Sequence, residues 1–442
     1  MIKNFEGKVA VITGAGSGMG FSMAKVFAEK GMKIVLAEID EKRLKRAERR
    51  LNKTGAEILA LKIDVSDPKQ VERLAEESFK RFGNVNILCN NAGIGGSGPL
   101  HLLEIGDWDI TLGTNLFGVI YGIKYFTSRM LASGEPCHII NTASLAGHLA
   151  TGENGPYSAS KFAVVSISEN LAQELFNTNV GVSVLCPGFI NTNIAENSIA
   201  MREGRTDLYG LNDMDDASQI YLANFIKTIK LGMHPDIVAK MVIHAIENDI
   251  FFIMTHHEWM KLIKARFDRI NEDSLKTREA FPVPEREKMK KTYKYNSEGL
   301  SFSISYPDYF VDYLPMPNTS QVFLAGQEFR ETLEVYVSNI DSSVKPENMV
   351  ELIANNLKLI GTDIKIISDK EIKLEDGTPS HEIEIEYIRL GSVKMRSHHV
   401  SVIKDNKLIR VSTSTHPYYF NDDHINITRS LKFTTPIAQI PQ

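Results

Sequence analysis

Apolar and polar positions follow two different periods along the chain. Up to about residue 250, short and nearly all-apolar runs are separated by longer stretches with apolar residues at helical spacing, such as 19–30 and 69–82. Strands buried on both faces lose their polar positions, so this pattern predicts a parallel sheet covered by helices on both sides. The predicted strands are 9–12, 33–37, 58–63, 85–89, 138–141 and 182–186.

Beyond residue 292 every second residue is apolar within several runs, among them 300–306, 333–337 and 381–387. A period of two is typical of strands with one solvent-exposed face. Glu382, Glu384 and Glu386 are therefore expected on that exposed face, where Lys394 and Arg396 of the next strand can pair with them. The adjacent histidines His398 and His399 are expected to point to opposite faces, which argues against a shared metal ion.

Hairpin turns and helical patterns complete the second half. Asp376-Gly377 and Asp405-Asn406 lie between alternating runs as turn dipeptides. Helical patterns cover about 347–360 and 420–431. These features predict an α+β domain with a mainly antiparallel sheet. Its strand order resembles the PsbP-type fold, which implies a binding or assembly module.

A charged segment separates the two patterns. Nine of the sixteen residues from 276 to 291 are charged, and Pro282 and Pro284 interrupt any regular element. The predicted organisation is a first domain at 1–275, a linker at 276–291 and a second domain at 292–442. A length of 442 residues agrees with two or three domains.

Composition narrows the classes of function. The net charge of −5 gives no electrostatic reason to expect nucleic acid, and no apolar run approaches the ~20 residues that span a bilayer. The first strand begins too early for a signal peptide to precede it. Cys89, Cys137 and Cys186 are too few and too scattered for a disulfide framework or a zinc site. We therefore expect a cytoplasmic protein with no metal and no membrane partner.

A glycine-rich turn, residues 13–20, follows the first strand and opens the first helix. Glycines permit a tight turn and let the backbone approach a pyrophosphate, which the helix N-terminus then binds. This context predicts a dinucleotide site. Glu38, at the end of the second strand, can accept both ribose hydroxyls of NAD and would repel the 2′-phosphate of NADP. Arg43 lies a turn into the next helix, so NAD is favoured over NADP.

Tyr157 and Lys161 stand four residues apart in a helical pattern, which puts them on one helix face. A phenol is a poor base at neutral pH, and a neighbouring ammonium group together with an oxidised nicotinamide favours the phenolate. Ser144 ends an apolar strand, at the edge where open parallel sheets bind ligands. The three residues predict a proton-transfer site.

Together these motifs resemble the short-chain dehydrogenase/reductase family over residues 5–270. The resemblance implies a Rossmann-type doubly wound sheet, catalytic Ser144, Tyr157, Lys161 and Asn115, and an oxidoreductase that moves a hydride between NAD(H) and a secondary alcohol or ketone. Lys161 would lower the pKa of Tyr157 and hold the ribose, and Asn115 would support a water that links Lys161 to solvent. The implied cofactor contacts are Thr13, Gly14, Ser17, Gly18, Met19, Gly20, Glu38, Asp64, Val65, Asn91, Ala92, Gly93, Tyr157, Lys161, Pro187, Gly188 and Thr192.

Substrate and assembly stay open. The resemblance implies that residues 189–231 close over the substrate and that the chain forms a homodimer or homotetramer. Arg202 and Arg205 of that segment either meet a substrate carboxylate or phosphate or lie on a solvated surface, and His148 either lines the pocket or packs. The alternatives to an NAD-dependent enzyme are an NADP-dependent carbonyl or acyl-type reductase and a cofactor-binding scaffold that acts through residues 292–442.

Overall fold

The computed structural model divides into two compact units, Met1–Ser274 and Leu275–Gln442. The described residues are 2–96, 98–150, 152–176, 178–202, 207–209, 216–281, 290–297, 300–307, 310–313, 321–325, 331–340, 348–358, 361–389, 393–415 and 422–433.

The first unit is built on a parallel sheet of seven strands in the order β3-β2-β1-β4-β5-β6-β7. The strand order reverses between β1 and β4, and a doubly wound sheet binds ligands beyond the carboxyl ends of its strands at such a point. The strands are β1 (Val9–Thr13), β2 (Lys33–Glu38), β3 (Ile58–Lys62), β4 (Ile87–Asn90), β5 (Cys137–Thr142), β6 (Val180–Cys186) and β7 (Phe252–Met254).

Helices cover both faces of this sheet, which confirms the predicted fold class. Helices α1, α2 and α9 share one apolar core with the sheet, and α3 and α5 share the other. The helices of the unit are α1 (Gly18–Glu29), α2 (Glu41–Leu51), α3 (Pro68–Phe82), α4 (Ile105–Leu112), α5 (Gly118–Ala132), α6 (Gly155–Glu174), α7 (Ile194–Arg202), α8 (Asp216–Lys230), α9 (Pro235–Asn248) and α10 (Met260–Ala280).

Antiparallel strands dominate the second unit, as the alternating pattern predicts. A seven-stranded sheet runs β10-β11-β12-β16-β15-β14-β13, and a three-stranded sheet runs β17-β9-β8. The elements are β8 (Lys290–Ser297), β9 (Leu300–Pro307), β10 (Val311–Tyr313), β11 (Gln321–Ala325), β12 (Glu331–Asn339), α11 (Met349–Leu357), β13 (Gly361–Lys373), β14 (Pro379–Arg389), β15 (Val393–Lys404), β16 (Lys407–Thr415), α12 (Asp422–Arg429) and β17 (Lys432–Phe433). The likeness to a PsbP-type fold stays a prediction.

Three details differ from the sequence-based expectation. The structure contains a short strand, β7, that the sequence analysis did not predict. Helix α10 continues to Ala280, so the start of the predicted linker is helical, and residues 282–289 lie outside the described residues. The prediction that Glu382 faces solvent is wrong, because its side chain is 2% exposed and pairs with Arg429 of α12.

The neighbouring pairs in this sheet follow the prediction more closely. Arg396 forms ion pairs with Glu384 and with Glu386. His398 bonds Thr428 of α12, whereas His399 bonds Ser397, so the two histidines have different partners. None of the described helices is long and apolar enough to cross a membrane.

Candidate active site

A cavity of about 680 Å³ lies in the first unit beyond the carboxyl ends of the strands. Of the predicted catalytic and cofactor-binding residues, all of which lie within the described part of the chain, only Thr13 and Asn115 do not line it. The cavity therefore gathers predicted residues that lie up to 178 positions apart in the sequence, from Gly14 to Thr192 (192 − 14).

The glycine-rich turn presents the start of α1 to this cavity. Gly18 has a φ of +54°, and a side chain on Gly20 would collide with the carbonyl oxygen of Gly14. Ser17 is the N-cap residue, yet its side chain makes no capping hydrogen bond, and the first turn contains no acidic residue. The N–H groups of this turn are thus available to a phosphate, and the helix dipole favours negative charge there.

Buried Glu38 and half-buried Arg43 form an ion pair on the cavity wall. Glu38 is 5% exposed, and its Oε1 accepts hydrogen bonds from Nη2 of Arg43 at 3.0 Å and from the N–H of Asp40 at 3.1 Å. Its Oε2 accepts from the N–H of Gly16 at 3.1 Å. The sequence places Arg43 on the next helix, and the structure adds that its side chain folds back to the cavity wall.

Thr13 supports the site from beneath the cavity. Its Oγ1 accepts hydrogen bonds from the N–H groups of Asn91 at 2.9 Å and Ala92 at 3.0 Å, and it donates to the carbonyl of Cys89 at 3.3 Å. The side chain of Asn91 donates to the carbonyl of Thr13 at 3.0 Å. Thr13 therefore ties β1 to the segment after β4 and positions Asn91 and Ala92 at the cavity wall.

Two further segments fix the wall on either side. Asp64 accepts two hydrogen bonds from Ser66, at 2.9 Å from its N–H and 2.7 Å from its hydroxyl, which holds the turn that carries Val65. The N–H of Gly188 donates to Oγ1 of Thr255 at 3.0 Å. Ser144 donates to the carbonyl of Pro187 at 3.3 Å, so the ends of β5 and β6 are bonded to each other.

Ser144 and Tyr157 share a hydrogen bond inside the cavity. Burial raises the pKa of the Tyr157 phenol, and the bond from Ser144 acts in the opposite direction. Desolvation of the buried phenolate is the dominant influence on this group. That Lys161 lowers the pKa of Tyr157 stays a prediction.

Lys161 is anchored beside Tyr157. Its Nζ donates to the carbonyl of Thr142 at 2.8 Å and lies 5.6 Å from the centre of the Tyr157 ring. Burial lowers the pKa of Lys161 to about 8, partly offset by Cys186. The pKa of this ammonium group is therefore close to neutral pH. Perturbed pKa values of this kind are frequent at functional sites.

Asn115 lies in a π-helical turn, Gly113–Phe117, between α4 and α5. It is fully buried, and its side chain exchanges two hydrogen bonds with the backbone of Ile94, at 2.8 and 2.9 Å. A third bond, at 3.3 Å, reaches Ser160 of α6. Single-turn π segments are frequent at functional sites. Here the turn ties α6 to the wall segment 91–96.

Comparisons with known proteins agree with this geometry. The family model described as short chain dehydrogenase matches residues 8–203. The "C alpha-dehydrogenase" of Sphingobium sp. is 32% identical over 289 residues, which cover 65% of this chain and 93% of the relative. The chain belongs to the short-chain dehydrogenase family.

Other relatives of this short-chain dehydrogenase also match the first part of the chain over nearly their whole length. The "CLA biosynthesis dehydrogenase/reductase" of Lactiplantibacillus plantarum is 35% identical over 280 residues, 62% of this chain and 96% of the relative. A crystal structure of a short chain dehydrogenase/reductase from Burkholderia phymatum in complex with NAD is 38% identical, with a TM-score of 0.59, and covers 62% of this chain and 97% of that one. The predicted class is confirmed: the protein is an NAD(P)-dependent oxidoreductase that acts on CH–OH groups.

Arg202, on the wall of the dehydrogenase cavity, pairs with an aspartate that local patterns do not reveal. Arg202, the last residue of α7, donates to Asp107 of α4, which is fully buried. Arg202 is therefore not a solvated surface residue, whereas Arg205 lies outside the described residues. His148 contacts Cys186 at 3.4 Å and packs against Phe252, and it is a packing residue outside the cavity wall.

Proposed function

We propose that this chain is an NAD-dependent dehydrogenase that oxidises a secondary alcohol to a ketone and catalyses the reverse reduction. One observation carries the proposal: the uncapped N-terminus of α1 and the Ser144, Tyr157 and Lys161 side chains line one cavity. A phosphate-binding helix end and a proton-transfer group on the same wall are what a hydride transfer to a dinucleotide requires. The names of the relatives, among them a C alpha-dehydrogenase, support the reaction class.

The cavity wall fits an extended dinucleotide. The first turn of α1 would hold the pyrophosphate, Glu38 the adenosine ribose, and Asp64 and Val65 the adenine. Ala92 and Gly93 would lie along the middle, and Pro187, Gly188 and Thr192 beside the nicotinamide. Buried Oδ1 of Asn91 and Nε of Arg43 have no hydrogen-bond partner among the described residues, so polar groups of a ligand can satisfy them.

NAD⁺, when bound, supplies the hydride acceptor at its nicotinamide ring. As the carbinol carbon loses hydride, Tyr157 accepts the proton of the substrate hydroxyl group. Ser144, hydrogen-bonded to Tyr157, donates to the reacting oxygen and holds it within reach. Lys161 favours the phenolate through its positive charge and would hold the nicotinamide ribose.

Asn115 is a positioning residue in this scheme. Its side chain is occupied by Ile94 and Ser160, so it acts by fixing the π-helical turn and the wall segment opposite Lys161. A water that links Lys161 to solvent beside this turn remains part of the proposal. Assembly as a homodimer or homotetramer also stays a prediction, and light scattering of the full chain measures it.

Glu38 is the reason that we propose NAD as the cofactor and not NADP. Its buried carboxylate would face the 2′-phosphate of NADP and repel it. Arg43, which lies against Glu38, is the one observation that favours an NADP-dependent alternative. The test is to follow nicotinamide absorbance with a panel of secondary alcohols and each cofactor. We expect kcat/KM to be at least about tenfold higher with NAD. A preference for NADP overturns the cofactor assignment, and no turnover with either cofactor overturns the function.

A further inference from the structure

The cavity wall contains an arginine, at the end of α7, with an unused buried donor. The side chain of Arg202 is 17% exposed, and its Nη1 donates to Asp107. Its Nη2 is buried and has no hydrogen-bond partner among the residues that the structure describes. Arg202 is part of the cavity wall. The unused donor is thus available to a molecule in the cavity.

Asp107 fixes the position of this arginine. Asp107 lies in the first turn of α4, where its Oδ2 accepts hydrogen bonds from the N–H groups of Glu104 and Tyr209, each at 2.9 Å. Backbone donors and the helix dipole at an N-terminus stabilise a carboxylate. Because these donors hold Asp107 in place, Nη1 of Arg202 is fixed on Asp107 while Nη2 is left for another acceptor. Its position is set by contacts to a different helix.

A guanidinium group with one unused NH2 group favours a particular kind of partner. A buried charged donor that lacks an acceptor costs free energy, and a carboxylate with two oxygens matches the geometry of guanidinium N–H groups. We propose that Arg202 binds a carboxylate of the substrate, so that the substrates are apolar hydroxy and oxo carboxylic acids. This inference rests on the proposed dehydrogenase function and names its substrate class.

A short glycine-containing segment and several apolar side chains lie on the same cavity wall as Arg202. A side chain on Gly93 would lie 3.6 Å from Nζ of Lys161, and one on Gly96 would lie 3.7 Å from Nη2 of Arg202. The Cα atoms of these two glycines are at most ~11 Å apart, since they are three residues apart. An aromatic ring or a short alkyl chain spans such a distance. The apolar wall is formed by Leu149, Phe189, Ile199, Leu208, Phe225 and Trp259.

Glu153 carries the opposite charge on the same cavity wall. Glu153 belongs to the segment between Ser144 and Tyr157. Its backbone carbonyl accepts a hydrogen bond from the N–H of Gly98 at 3.0 Å. A substrate with an amino group would be attracted to Glu153 and not to Arg202. The choice between an acidic and a basic substrate is therefore part of the test.

The experiment compares three matched secondary alcohols: 4-(1-hydroxyethyl)benzoate, its methyl ester, and 1-(4-aminomethylphenyl)ethanol. We expect the acid to have a kcat/KM at least about tenfold above the other two in the wild-type chain. Arg202→Met should lower kcat/KM for the acid by about 10- to 100-fold, mainly through KM, and should lower it for the ester by a much smaller factor. Arg202→Lys should restore part of the loss. Arg129→Met, which changes an arginine outside the cavity, should leave the preference intact.

The experiment distinguishes a failure of the proposed substrate class from a failure of the proposed dehydrogenase function. Equal turnover of acid and ester, or a preference for the amine, overturns the role of Arg202 and leaves the dehydrogenase intact. If none of the alcohols is oxidised with either nicotinamide cofactor, calorimetric titration with 4-ethylbenzoate decides the inference alone. Binding that Arg202→Met abolishes supports it. Absent binding, or binding that the variant retains, overturns it.

Discussion

Lys161 donates a hydrogen bond from Nζ to the backbone carbonyl of Thr142, the last residue of β5, at 2.8 Å. A strand end thus fixes the ammonium group that α6 carries. Tyr157 lies one turn earlier on α6, with its ring centre 5.6 Å from Nζ. The relative position of these two side chains is therefore set by the packing of α6 against the sheet, and not by a flexible loop.

The burial of Lys161 predicts a pH-dependent stability. Its pKa is about 8 in the folded chain and 10.5 in the unfolded one, so the unfolded state binds more protons between these values. The free energy of unfolding of the wild type relative to Lys161→Met should thus rise by about 2–3 kcal/mol from pH 7.5 to pH 10.

Fluorescence of the two tryptophans measures this in denaturant titrations, since Trp108 and Trp259 both belong to the first unit. A difference between the two proteins that stays constant with pH would contradict a lowered pKa for Lys161. Other buried groups that titrate in alkali are common to both proteins and cancel in the comparison.

Removal of the Tyr157 hydroxyl should abolish proton transfer and little else. Tyr157→Phe is expected to lower kcat by about two to four orders of magnitude, the usual contribution of a general acid or base. Ser144→Ala should also lower kcat, because the reacting oxygen loses a donor. The thermal shift on addition of NAD should persist in both variants. Tyr125→Phe, a tyrosine of α5 outside the cavity, is the control, and near-normal turnover of Tyr157→Phe would refute the assignment.

The fold was predictable because its determinants are local. Strand runs such as 33–37 are apolar throughout, and the glycine turn before α1 specifies both a tight bend and a helix start. The strand β7 was not predictable in this way, since only Ile253 of its three residues is buried. A three-residue strand on a sheet edge leaves too short a pattern to distinguish from a loop.

Parts of the site depend on contacts that no local pattern encodes. Asp107 and Arg202 lie 95 positions apart, and neither belongs to a recognisable motif. Buried Glu382 likewise bonds Arg429, 47 positions away, on helix α12, which packs on the neighbouring strands β15 and β16. By contrast, Tyr157 and Lys161 were predictable because their spacing alone places them on one helix face.

Glu38 should control the choice between the two nicotinamide cofactors. Glu38→Gln keeps the size of the side chain but removes the charge that would repel a 2′-phosphate, and it leaves Arg43 available to bind that phosphate. We expect the ratio of kcat/KM for NAD over NADP to fall by about 10- to 100-fold.

Asp40→Asn is the matched control for this variant. Asp40 caps α2 by accepting from the N–H of Arg43 at 2.7 Å, and asparagine is an equally good N-cap residue. The substitution removes a nearby charge outside the cavity wall and should leave the cofactor ratio unchanged. An unaltered ratio in Glu38→Gln would show that Glu38 does not discriminate between the cofactors.

Arg429 should stabilise the second unit through Glu382. The Glu382 carboxylate accepts from Nε of Arg429 at 2.6 Å, from its Nη2 at 3.0 Å and from Nζ of Lys370 at 2.8 Å. Burial disfavours the charged form of Glu382, but the bonds from Arg429 and Lys370 outweigh it and lower its pKa to about 2. The folded state therefore gains stability from this carboxylate above pH 4.5, and the gain is lost as the pH falls toward 2.

Arg429→Met leaves the buried carboxylate with fewer donors and should destabilise strands β14 and β15 by about 1–3 kcal/mol at pH 7. Hydrogen exchange of peptides from residues 379–404 is measured by mass spectrometry on the full chain. It should be faster by the factor that corresponds to this loss of free energy. Lys432→Met removes a cation from an exposed pair with Glu375 and should change exchange by less than about 0.5 kcal/mol. Equal exchange in the two variants would mean that the Glu382–Arg429 pair does not hold α12 to the sheet.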